Sequence, residues 1–157
     1  MSPQDKALIG AQLFLRGLPD DHLAQLAEFS RHVTVPIGRR LFEEGATADK
    51  FWLIDAGQVA LDAIVPGRGR VIIEMLGRGD VIGLSWMVSP HQWRFGAVTT
   101  QPLQAFEFDA RAVRAACDSD PALGYELSRR FSVVLVRRLQ ATRARLLDAC
   151  ARAGISP

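Results

Sequence analysis

The chain has 157 residues, 48% of them apolar and 23% charged, with a formal net charge of +2. That length and balance suit one soluble globular domain with a sizeable core. The longest uncharged central run, Val81 to Trp93, is too short to cross a bilayer, so no membrane contact is expected.

In chain order, the amino terminus lacks a basic region followed by an apolar core, which argues against a secretory signal and for a cytoplasmic location. Residues 1–30 read as helical pieces. Leu8, Leu13 and Phe14 come first, Gly17-Leu18-Pro19 breaks the pattern, and Asp20-Asp21 are placed to cap a second helix. Leu23, Leu26, Ala27 and Phe29 form its apolar stripe.

From residue 31 to 108 the pattern becomes strand-like. Val33-Val35, Leu41-Phe42, Phe51-Ile54, Val59-Leu61 and Val71-Leu76 are short β-prone runs, and glycines at 38, 45, 57, 67, 77 and 83 punctuate them. That punctuation predicts a sandwich or barrel and leaves no room for crossover helices. Gly67-Arg68-Gly69 reads as a hairpin turn.

The segment Gly79 to Ala97, GDVIGLSWMVSPHQWRFGA, carries the most chemistry. Glycines let the backbone approach a bound group, exposed N–H groups can cradle an oxyanion, and an arginine can complete such a site. Arg94 is the candidate, flanked by Gly83 and Gly96; the alternative is a strand arginine paired with Glu74 or Asp80. Trp86, Trp93 and Phe95 crowd the same loop, either to stack a base or to pack over the roll and fill the site.

Residues 109–157 return to helix. Asp109 caps a short helix over Ala110 to Cys117, and Asp118-Ser119-Asp120-Pro121 starts a long one that stops at Gly154. Leu135, Leu139, Thr142, Leu146 and Ala149 fall at alternating four- and three-residue steps, the spacing of a two-helix seam. From Pro121 onward seven arginines oppose only Glu126 and Asp148, a pattern read first as a solvated helix face. Cys117 and Cys150 stand apart from each other and from any histidine pair, so neither zinc nor a disulfide framework is expected. There is no HxH of a cupin metal site, no GxSxG and no Walker loop, and no enzymatic activity is expected.

The phrases FLRGLPDDHLAQLAEF, PIGRRLFEEGATADKFWLIDAGQVAL and GRGDVIG, with the cassette above, resemble the cyclic nucleotide-binding domains of the Crp/Fnr regulators over residues 12–148. The resemblance implies a mostly β fold with flanking α: a double-stranded β-helix or jelly roll, N-terminal helices and a long C-terminal dimerisation helix. Against the catabolite activator pattern of that family, Gly83-Leu84-Ser85, the eight residues up to Trp93, and Arg94-Phe95-Gly96 align without a gap. Gly83 and Arg94 then keep the backbone approach and the cyclic-phosphate partner. Leu84 stands where a glutamate would hold the ribose 2′-hydroxyl, and Phe95 where a small hydroxyl residue would sit. Arg138 and Thr142, in Arg-Arg-Leu-Gln-Ala-Thr at 137 to 142, match the helix segment that reaches the base; Thr142 is equally placed to fill the seam.

The candidate ligand residues are therefore Gly83, Leu84, Ser85, Arg94, Phe95, Gly96, Arg138 and Thr142. The resemblance implies a homodimer through the C-terminal helix and a non-catalytic sensor for a cyclic nucleotide such as cAMP, or another anionic effector, acting on a protein partner. The alternative is a ligand-free dimeric interaction module with a filled pocket. Family transcription factors follow the long helix with a helix-turn-helix; with the chain ending at Pro157, no sequence-specific DNA binding is expected.

Overall fold

Local rules set most of the element boundaries in the computed structural model, which describes residues 3–154. Residues 1–2 and 155–157, the two ends of the expected domain, lie outside the described residues. α1 (Pro3–Gly10) leads through a 3-10 turn (Leu13–Leu15) to α2 (Asp20–Glu28). Asp20 and Asp21 do not cap α2 as expected. Pro19 holds the N-cap, and the two carboxylates lie in the first turn, where negative charge complements the helix dipole.

Eight strands follow: β1 (Ser30–Val35), β2 (Arg40–Phe42), β3 (Lys50–Ala56), β4 (Val59–Val65), β5 (Gly69–Leu76), β6 (Val81–Ile82), β7 (Gly96–Thr99) and β8 (Leu103–Asp109). They form two four-stranded antiparallel sheets, ordered β1-β8-β3-β6 and β2-β7-β4-β5. The result is a jelly roll. β4 and β5 make its long hairpin, with Val65 opposite Gly69 and the Arg68 amide donating to the Val65 carbonyl at 3.0 Å. Gly67 turns the chain at φ +79°, a conformation that glycine adopts without steric cost.

The inward positions of both sheets meet in one core. Phe51, Trp86, Phe108 and Phe131 stack or meet edge-on there, and Phe42, Trp52 and Trp93 form a second aromatic group beside it. Such ring pairs add directional attraction to the area they bury.

After the roll, Asp109 caps α3 (Ala110–Ser119) by accepting from the Arg111 and Ala112 amides. Asp120 caps α4 (Pro121–Arg152) by accepting from the Leu123 amide, with Pro121 in the first turn. α4 stops at Ala153, just before Gly154 at φ +69°. Its first three turns dock through Leu123, Leu127 and Phe131. Beyond them Leu135, Leu139 and Leu146 are about half or more exposed, at 47%, 51% and 61%. Both cysteines are free thiols.

Candidate ligand groove

β6 delivers the chain to Gly83, whose φ is +101°. Leu84 then precedes a 3-10 turn, Ser85–Met87. A Cβ on Gly83 would stand 2.8 Å from Cη2 of Trp93, a separation real Cβ atoms do not tolerate. The close approach expected for a ligand is thus taken by an indole of this chain. Trp93 is 3% exposed and stacks on Phe42 with ring centroids 3.7 Å apart. Trp86 is equally buried. Both tryptophans fill the roll rather than offering a free face for a base.

Gly96 has an equally internal reason. A Cβ there would meet Arg40 Nη1 at 2.5 Å and Asp62 Oδ1 at 2.6 Å. Arg40 Nη1 donates to Asp62 Oδ1 at 3.0 Å, and Nη2 donates to Oδ2, the two-pronged match of guanidinium to carboxylate. Only 6% of the Asp62 side chain is exposed. Sequence reasoning missed this pair; the available signal was a lone carboxylate inside the apolar strand VALDAIV. The glycines flanking Arg94 are therefore accounted for by packing. Arg94 itself is exposed, and among the described residues it pairs with neither Glu74 nor Asp80.

Four of the eight candidates do meet. Leu84, Phe95, Arg138 and Thr142 line one groove of about 680 Å³ between β5 and α4. Gly83, Ser85, Arg94 and Gly96 lie off its wall. The rest of the lining is mostly apolar: Leu61, Ile72 and Ile73 from the roll, and Leu135, Leu139 and Leu146 from α4. The sequence placed these three leucines only on a dimer seam, and they serve the groove as well. The exposed Val71-Ile72-Ile73 run in β5 was the signal for the opposite wall.

Arg138 is the groove's most deeply set charge. Its Nη2 donates to the Val81 carbonyl, while Nη1 is buried without a partner. Burial pulls its pKa below the ordinary arginine value, against the raising influence of Glu74 and Asp80. The group remains a cation at any physiological pH. Arg145 also lines the groove, its Nη2 donating to Thr142 Oγ1 at 3.3 Å, and Glu74 is its one carboxylate. An apolar wall with two guanidiniums suits a ligand that pairs a flat or apolar body with negative charge. Among the described residues, no three His, Cys, Asp or Glu side chains are grouped to hold a metal ion.

Comparison with known proteins agrees with this architecture. The family profile described as cyclic nucleotide-binding domain matches residues 32–120. A CRP-like cAMP-activated global transcriptional regulator of Mycobacterium tuberculosis is 27% identical over 144 residues, covering 92% of this chain. The chain spans 62% of the length of that curated relative. A cyclic nucleotide-binding domain from Methylobacillus flagellatus has a similar fold, with a TM-score of 0.79 and 22% identity, over 93% of this chain and 83% of that one. The Thermus thermophilus catabolite activator protein gives a TM-score of 0.68 at 18% identity, over 85% of this chain and 61% of that one.

Proposed function

The chain belongs to the cyclic nucleotide-binding domain family, and from that premise we propose that it is a non-catalytic regulatory sensor. In this reading residues 1–157 form one domain, and the groove takes a small anionic or nucleotide effector whose binding is passed to a protein partner. The observation that carries it is the meeting of Leu84 and Phe95 of the roll with Arg138 and Thr142 of α4 in one groove. A ligand there touches both the roll and the helix, so its binding energy can bias their relative position. The M. tuberculosis relative is named as cAMP-activated, which makes a cyclic nucleotide the first effector class to test. No helix among the described residues is long and apolar enough to cross a membrane, and a cytoplasmic place is part of the proposal.

Burial supports a second reading. With Trp86 and Trp93 each 3% exposed, aromatic side chains occupy the roll interior, as in an interaction module that needs no ligand. A melting-temperature screen of cyclic nucleotides, other nucleotides, phosphates and carboxylates separates the two. A ligand bound by the folded state alone raises Tm, by about 2.7 kcal/mol of stability at a hundredfold excess over Kd. A flat response to every compound would favour the interaction module.

The proposal includes a homodimer through α4. The exposed Leu135, Leu139 and Leu146 continue an apolar stripe past the docked end of the helix, and a second copy would cover it. Replacing Leu139 and Leu146 with glutamate is expected to give monomers, because each places a charge in a desolvated seam. Sedimentation of the wild type as a monomer at micromolar concentration would remove the dimer from the proposal.

A further inference from the structure

A second cleft lies on the other flank of Arg138. It has a volume of about 500 Å³ and is bounded by the first 3-10 turn, the turn between β5 and β6, and α4. Its floor is apolar, with Leu13, Phe14 and Met75. Around that floor stand Arg78, Arg130, Arg137 and Arg138 with Glu74 and Asp80, and Glu126 pairs with Arg130 from outside the cleft at 3.6 Å. Asp80 is already engaged, accepting from the Gly77 amide at 2.9 Å. We propose that this cleft is an anion site for a small organic phosphate, whose phosphate meets the arginines and whose apolar body rests on Phe14 and Met75.

Three observations carry this. Arg138 is a partly buried guanidinium with no carboxylate in salt-bridge range and with Nη1 left unpartnered. Glu74 and Asp80 stabilise this charge only from beyond salt-bridge range, and an oxyanion at hydrogen-bond distance lowers the cost of its burial further. Arg130 is held in place, its Nη1 donating to the Phe14 and Arg16 carbonyls at 2.9 Å each, so the cleft presents a preorganised cation as well as the exposed Arg78 and Arg137. Lastly, with Glu126 3.6 Å from Arg130 Nε, four arginines against three carboxylates leave the cleft with one net positive charge, which favours an anion such as a phosphate monoester. The forked guanidinium suits phosphate oxygens better than a point charge does. Leu84, Phe95 and Thr142 do not line this cleft, which shares only Glu74 and Arg138 with the groove, so the site survives if the groove binds nothing.

The test is calorimetry on the full chain at low salt with phenyl phosphate, inorganic phosphate and phenol. Phenyl phosphate should bind more tightly than inorganic phosphate, and phenol should not bind. The double substitution Arg78→Gln, Arg137→Gln changes two exposed residues that line the cleft but not the groove. It should weaken phenyl phosphate at least about tenfold while leaving Tm unchanged. Phe95→Ala and Thr142→Ala, which alter only the groove, should leave that affinity in place. Unaltered binding in the double arginine variant would overturn the proposal, as would loss of binding in the groove variants or no phenyl phosphate binding by the wild type.

Discussion

Replacing Asp62 with alanine should destabilise the folded chain by about 3–5 kcal/mol, a fall of roughly 10 °C in Tm for a chain of this size. The cost does not come from losing a favourable pair, because a buried ion pair is close to neutral against apolar residues of the same shape. It comes from what is left behind. Arg40 has a side chain only 25% exposed, and without Asp62 it keeps just the Glu43 carboxylate, 3.3 Å from its Nε and half-exposed. Arg70, 3.7 Å from Asp62, adds to the uncompensated charge. Chemical denaturation of three proteins checks the mechanism: Asp62→Ala, Arg40→Leu, and the Arg40→Leu, Asp62→Leu double variant. The double variant should be more stable than either single one, since it strands no charge. A loss below about 1 kcal/mol in Asp62→Ala would show that water reaches the pair and that an exposed-pair value applies.

That ion pair also explains how far the sequence was readable. The turn at Gly67, the cap at Asp109, the start of the long helix at Asp118 to Pro121 and the stop at Gly154 follow from a few neighbouring residues, and all four stand where those residues indicate. A sandwich or barrel followed from glycine spacing and the lack of room for crossover helices, while the jelly roll came from the family resemblance, and β7 and β8 were not named as runs. The site was less legible because a glycine in sequence says only that space is needed, not what occupies it. Gly83 makes room for Trp93, ten residues on, and Gly96 makes room for a pair from β2 and β4. Neither neighbour is visible until the sheets are paired. Leu84 and Arg138, by contrast, are 54 positions apart and share a groove. Only the resemblance to a family with that geometry put them together beforehand.

Cyclic AMP and cyclic GMP should bind the wild-type chain weakly or not at all, and Leu84→Glu should tighten cAMP by about 10- to 150-fold. A carboxylate accepting a ribose hydroxyl is a hydrogen bond to a charged group, worth about 1.5–3 kcal/mol, and each 1.4 kcal/mol is a factor of ten. The wild-type leucine accepts nothing and leaves that hydroxyl dry against an apolar wall. The groove already holds a cation near the new carboxylate, because Arg138 lines the same groove. Phe95 is the second obstacle. Its ring lines the groove beside Leu84, so adding Phe95→Ser should tighten binding further by opening space and supplying a hydroxyl. Arg94 is the point on which the alignment and the structure pull apart: aligned with the phosphate partner, yet exposed and off the groove wall. Adding Arg94→Ala to the double variant decides between them. Loss of cAMP binding would mean that a bound phosphate draws Arg94 inward. Retained binding would assign the phosphate to Arg138 instead. Submicromolar cAMP affinity in the wild type, unchanged by Leu84→Glu, would mean that Leu84 does not face the sugar at all.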